Sequence, residues 1–162
     1  MDWSLPYSSN REVVLGKNVV AASQPLAAQA GLEMMRRGGN AVDAALATAI
    51  ASTVVEPCAN GIGGDAFAIV HDGENIYGLN GSGKSPALMP TSIEGEIPSV
   101  GWLPVTVPGQ ISLWVSLHKK FGKRSFAALF EPAIHYARNG FLVSPQTATR
   151  WKNGTDRFRE SQ

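Results

Sequence analysis

GGNAVDAALATAIASTVVEPCANGIGGDAFAIV, residues 38–70, is the stretch on which the reading of the whole chain turns. Between Ala41 and Val55 only Asp43, Thr48, Ser52 and Thr53 carry polar side chains, and alanine fills most of the remainder. A helix apolar all round expects burial on every side. Its small side chains let neighbouring backbones come close, so it is read as the central helix of a layer. Asn40 is a suitable N-cap, and Asp43 falls in the first turn, where a carboxylate favours the positive end of the helix dipole. Pro57 ends the helix, because the residue before a proline is pushed out of the α region. Gly61-Ile62-Gly63-Gly64 then feeds a nearly all-apolar strand, Ala66–Val70.

A chain of 162 residues is enough for one domain, burying roughly 68–70% of the surface its unfolded form exposes. Its 44% hydrophobic and 17% charged residues describe a globular protein. A net charge of +1 gives no electrostatic case for nucleic acid or an anionic membrane as partner. No apolar run is long enough for a membrane span. The N-terminus, MDWSLPYSSNREVVLGKN, lacks the basic and apolar regions of a secretory signal. One cysteine, Cys58, allows no internal disulfide and fits a reducing compartment. A cytoplasmic location is the expectation.

Outward from that stretch, residues 1–17 read as a polar, turn-rich arm and 18–162 as one continuous segment. Val19–Ala22 is a candidate buried strand. Ser23 or Gln24 caps a helix with Pro25 at its first position, where a missing N–H costs nothing. Leu26, Ala27, Ala30 and Met34 form its inward stripe, and Gly38 ends it. Asp72-Gly73 predicts a hairpin from 67–70 to a second strand near 75–79, so the sheet is at least partly antiparallel. Residues 80–101, rich in proline and glycine, form a long loop of the kind that is functional or covers something. Trp102–Val107 is a further strand candidate. A helix over about 109–121 carries Ile111, Trp114, Val115 and His118 on one stripe. Phe126, Leu129, Phe130, Ala133 and Ile134 follow at helical spacing, with Pro132 predicting a kink or two short helices. Asn139-Gly140 ends that element, and a polar helix-like segment starts at Ser144.

Two motif matches fail on their context. Gly78–Ser85 fits the phosphate-binding pattern GxxxxGK[ST], which needs a helix starting at the lysine to aim its N–H groups at phosphate. Pro86 and Pro90 forbid that helix, and the preceding strand is the second arm of a hairpin. A nucleotide-binding module using Gly78–Ser85 is thus the alternative reading, and loss of ATP binding on Lys84→Ala is the result that would favour it. Gly61–Ala66 fits the dinucleotide fingerprint but joins helix to strand, the reverse of what that fingerprint requires. Cys58 has no base nearby in sequence and is read as structural. His118 falls at the edge of a core stripe, His71 in a loop and His135 on a helix surface. No histidine pair or cysteine cluster suggests a metal, and no cofactor is implied. Glu56, at a helix C-terminus where its charge is disfavoured, is expected to have a donor partner. No self-sufficient active site is visible.

The run SQPLAAQAGLEMMRRGGNAVDAALATAIASTVVEPCANGIGGDAFAIV closely resembles the N-terminal segment of the γ-glutamyltranspeptidase family. VTVPGQISLWVSLHKKFGKRSFAALFEPAIHYARNGFLVSP resembles it as well, with VPG, KxFG, EPAI and ARxGF in order. Together they span most of residues 18–145. The resemblance implies an α+β fold, an N-terminal nucleophile hydrolase αββα sandwich of which this chain supplies only the first part. It also implies autoproteolysis of a precursor into large and small subunits. The nucleophile would be a threonine outside this chain, with its own α-amine as base. No catalytic residue would then lie within residues 1–162, and the chain alone would be inactive. Its partners would be the remainder of the large subunit, the small subunit and a small-molecule amide. A non-catalytic fragment that docks to a complementary chain is the third reading.

The family's Leu-Asp-x-Arg-Glu-x-x-Pro stretch, whose arginine holds the α-carboxylate of a γ-glutamyl group, matches Leu79–Pro86 here. Ser82 stands at the arginine position, and Asn80 and Gly83 at those of the two acids. A hydroxyl supplies none of the bidentate, permanently charged grip of a guanidinium. Lys84 is a point charge two residues away. The change resembles an acylase-like branch of the family. Ser82 and Lys84 are the candidate substrate-binding residues, on a loop bordering the acyl pocket, and Gly61–Gly64 is expected to pack the sheet against its helix.

Overall fold

Helix α2 (Ala41–Val55) lies at the centre of the protein, against helices α1 (Pro25–Arg36), α3 (Gln110–Phe121) and α4 (Glu131–Asn139). A computed structural model describes residues 13–90, 92–93 and 95–159. Most of the expected N-terminal arm lies outside the described residues, and its last part, 13–17, is exposed and irregular.

The predicted caps form. The Gln24 side chain, rather than Ser23, accepts from the N–H groups of Leu26 and Ala27 at the start of α1. Asn40 and Asp43 make a reciprocal capping box at 2.9 Å in each direction. Asp43 does more than its sequence position suggests. It is fully buried, and its carboxylate also accepts from the N–H groups of Lys123 and Arg124 at 3.0–3.3 Å, docking the chain after α3 onto the start of α2.

Alanine and glycine let α1 and α2 pack closely. A Cβ on Gly31 would lie 2.3 Å from Thr48 Oγ1 and 2.9 Å from the Ala44 carbonyl oxygen. The hydroxyls of α2 donate to its own carbonyls, Thr48 to Ala44, Ser52 to Thr48 and Thr53 to Ile50, so they enter an apolar setting without lost hydrogen bonds. Leu46, Ala47 and Ile50 join Met34, Leu113, Trp114, Leu117, Leu129 and Ala133 in one core cluster, and Ala51 and Val55 join Ala27 and Ala30 in another. Burial on every side is not reached, because Ala41 and Ala45 are exposed.

Strands β1 (Ala66–His71) and β2 (Ile76–Gly81) form an antiparallel hairpin in register from Ala66↔Gly81 to His71↔Ile76. The Asp72 carboxylate accepts from the N–H groups of Asn75 (2.8 Å) and Glu74 (3.0 Å), which holds its pKa below the ordinary aspartate value. Gly73 supplies the positive φ of +106°. The inner face, Ala66, Ala68, Val70 and Leu79, packs on the core. Tyr77 meets Phe121 at 5.1 Å, with Lys120 Nζ 3.9 Å over its ring. Phe67, Ile69 and Ile76, on the outer face, are exposed.

Three expectations need correction. Val19–Ala22 forms no regular element and pairs with no strand among the described residues, since Val20 lies against Gly31 of α1 instead. Trp102–Val107 is not a strand either. It has prolines at 104 and 108, which donate no N–H, and a turn bond from Val105 N–H to the Trp102 carbonyl. The buried stripe of α3 is Gln110, Leu113, Trp114 and Leu117, shifted from the expected Ile111, Trp114, Val115 and His118. This helix contacts both α2 and the hairpin, so its apolar arc is broader than one stripe.

Pro132 acts as predicted: a 3₁₀ turn over Phe126–Phe130 gives way to α4, whose first turn holds the proline. Gly140, at φ +78°, ends α4, and α5 (Pro145–Arg159) follows. The architecture is α+β, and no helix among the described residues is long and apolar enough to cross a membrane.

Candidate functional site

β2 ends at Gly81, where a Cβ would come within 2.7 Å of Leu113 Cβ, so the strand runs hard against α3. The chain then turns. Asn80 Oδ1 accepts the Ser82 N–H at 2.9 Å. Gly83 has φ +78°, and a Cβ there would sit 1.9 Å from the Val107 carbonyl oxygen. The Lys84 carbonyl accepts the Val107 N–H at 2.9 Å, and Thr106 Oγ1 donates to the Ser82 carbonyl at 3.3 Å. Residues 106 and 107 thus lie as a strap along Ser82–Lys84.

The strap runs directly into α3. Gly109 lies so close to the end of β2 that a Cβ on it would be 2.4 Å from the Gly81 carbonyl oxygen and 2.5 Å from the Gly83 nitrogen. The N–H groups of Gly109 and Gln110, which begin α3 and lack intrahelical partners, both donate to the Gly64 carbonyl at 3.2 Å. Gly61–Gly64 is itself a turn, closed by the Gly64 N–H on the Gly61 carbonyl at 3.1 Å. It therefore serves as a backbone cap for α3.

The structure brings together Ser82, Lys84 and Gly61–Gly64, which the sequence reading singled out, and Thr106–Gly109, which it missed. The available signal was the Val-Pro-Gly preceding a helix with no side-chain cap. Ser82 is half-buried and Lys84 exposed. Among the described residues, neither the Ser82 hydroxyl nor the Lys84 ammonium has a hydrogen-bond or ion-pair partner within the chain. Beside the loop, Pro86, Leu88, Met89, Pro90, Trp102 and Leu103 wall an open apolar groove of about 370 Å³. The described residues of 82–109 contain no helix, and the strand before Lys84 is the second arm of the hairpin. The arrangement a phosphate loop needs is missing from Gly78–Ser85.

The remaining candidates lie apart from this loop. Cys58, read as structural, is exposed on the turn after α2. His118 is half-buried at the core edge, with Nε2 2.7 Å from the Arg124 carbonyl oxygen and its ring on Phe126. His71 ends β1 rather than lying in a loop, and His135 is on the surface of α4, paired with Asn139 at 3.1 Å. Glu56 has the donors expected of it, the Ser23 hydroxyl and, at 3.4 Å, Asn60 Nδ2. Between α1 and α4, Glu33 and then Glu131 hold Arg37, raising its pKa further. No group of three or more potential metal ligands occurs among the described residues.

Residues 27–162 match the family model described as Gamma-glutamyltranspeptidase. The chain is 38% identical over 141 residues to the glutathione hydrolase-like YwrD proenzyme of Bacillus subtilis, covering 83% of this chain and 27% of that protein. It superposes on the crystal structure of cephalosporin acylase from Bacillus halodurans with a TM-score of 0.91 and 48% identity, over 99% of this chain and 31% of that one. With the gamma-glutamyltranspeptidase of Pseudomonas nitroreducens the TM-score is 0.82 at 31% identity, over 92% and 47% of the two chains. The chain spans about a quarter of the length of the curated relatives it matches. Its α+β fold is the N-terminal part of the N-terminal nucleophile hydrolase fold.

Proposed function

The chain belongs to the gamma-glutamyltranspeptidase family, and from that premise we propose that it is the first part of the large subunit of an amide-cleaving acyl-transfer enzyme. The nucleophile of this enzyme is a threonine released at the start of the small subunit by autoproteolysis. Its Oγ attacks the amide carbonyl carbon while its α-amine takes the hydroxyl proton. The C–N bond then breaks, the amine leaves with that proton, and water or a second amine resolves the acyl ester. Within this chain, Ser82 and Lys84 border the acyl pocket. The outer face of the hairpin, with Phe67, Ile69 and Ile76, packs against the remainder of the enzyme.

The observation that carries this reading is the Ser82–Lys84 loop, clamped through its backbone while its side chains meet no partner among the described residues. A neutral hydroxyl and a single ammonium select an acyl group far less sharply than a bidentate guanidinium does. The substrate is therefore a small-molecule amide for which a γ-glutamyl group is not required. Its test is the full-length precursor, allowed to mature and assayed with γ-glutamyl and other acyl anilides. Cleavage of both classes at comparable kcat/KM is expected. A strong γ-glutamyl preference would overturn the role given to Ser82, and cleavage of neither class would overturn the reaction.

A further inference from the structure

We infer that Thr106–Gly109 is the positioning element of the substrate loop, with Thr106 acting on specificity through the Ser82 carbonyl. The inference rests on the reading of Ser82–Lys84 as the border of the acyl pocket. Ser82–Lys84 divides its functional groups cleanly. The backbone groups at both ends are held by the protein: the Ser82 N–H by Asn80, the Ser82 carbonyl by Thr106 and the Lys84 carbonyl by the Val107 N–H. Its side chains have no such partners among the described residues, so they are the groups left for a ligand.

The strap is not loose chain. At Gly109 it joins α3, whose first N–H groups are anchored on Gly64 and whose Leu113 and Trp114 lie in the core. Gly83 and Gly109 approach their neighbours so closely that neither segment can shift towards the other. From strap to loop, the side-chain link is the Thr106 hydroxyl, a single 3.3 Å hydrogen bond made at an exposed position. Removing it releases the Ser82 carbonyl, while the Ser82 N–H stays on Asn80 and the Lys84 end stays bonded. A hydrogen bond weakens as its distance and angle leave the preferred range, so Thr106, acting through the Ser82 carbonyl, sets how well the Ser82 hydroxyl meets the substrate.

The experiment uses the matured full-length enzyme and the acyl anilide it cleaves best. Thr106→Val, which keeps the shape and deletes the donor, is expected to raise KM about two- to tenfold, the range of one ordinary hydrogen bond. kcat should be unchanged, and Thr106→Ser should restore KM. The Ser82→Ala effect on KM should shrink in the Thr106→Val background, because residues acting through one another are non-additive. A purely structural role would instead lower kcat for every substrate and reduce the yield of mature enzyme. Loss of maturation in both Thr106→Val and Thr106→Ala would overturn the inference, as would full additivity. If Ser82→Ala and Lys84→Ala leave KM unmoved, the reading of the loop as the pocket border fails, and the inference with it. If they raise KM and Thr106→Val does not, the positioning inference alone fails.

Discussion

Asp43 joins two elements through one side chain. Its carboxylate, itself fully buried, serves the Asn40 N–H as a cap and the Lys123 and Arg124 N–H groups as a dock. Asp43→Ala leaves those donors unpartnered and should cost about 3 kcal/mol, given about 1–3 kcal/mol for an unsatisfied buried group. Asp43→Asn keeps an acceptor oxygen and should cost less, as urea denaturation of the full-length protein would measure. Gly31 makes the opposite case to the usual helix glycine. Gly→Ala within a helix ordinarily gains about 0.5–1 kcal/mol. At Gly31 the added methyl meets Thr48 and the Ala44 carbonyl, so Gly31→Ala should destabilise by about 1–3 kcal/mol. A gain in thermal stability would show that the α1–α2 contact is looser than described.

Among the elements, the hairpin turn carries a pH dependence of known sign. The Asn75 and Glu74 N–H groups hold the Asp72 pKa below its ordinary value of 3.8. The turn's contribution is therefore complete above the unfolded aspartate value and lost as pH falls through the folded one. Amide-exchange protection at Glu74 and Asn75 should drop in that acid range, and Asp72→Ala should abolish the dependence. This turn was legible in the sequence, as were both caps, α1, α2 and the break at Pro132, because each depends on residues within a few positions of one another. What failed depended on distant neighbours. Val19–Ala22 and Trp102–Val107 are as apolar as strands, but a strand needs a ladder partner, and these segments meet a helix and a loop. Of the candidate site, Ser82 and Lys84 could be named from the family pattern. The Thr106 strap could not, because nothing in local spacing says that residue 106 returns to residue 82.

For the whole molecule, the surface to test is the outer face of the hairpin. Phe67, Ile69 and Ile76 are 66–82% exposed, and we propose that the remainder of the enzyme covers them. In the full-length precursor, Ile69→Ser should then cost about 2–4 kcal/mol, as for a buried aliphatic residue. A change within about 0.5 kcal/mol, the usual range for a surface position, would show that the face stays open to water.

The meeting of Gly64, Gly81–Gly83 and Thr106–Gly109 also closes a ring, since residues 85–105 leave and return at one knot of hydrogen bonds. The entropy of such a closure varies only logarithmically with contour length, so halving the excursion changes it by about 0.6 kcal/mol. Evolution can therefore trim, extend or redecorate this excursion while the knot at its base keeps its shape.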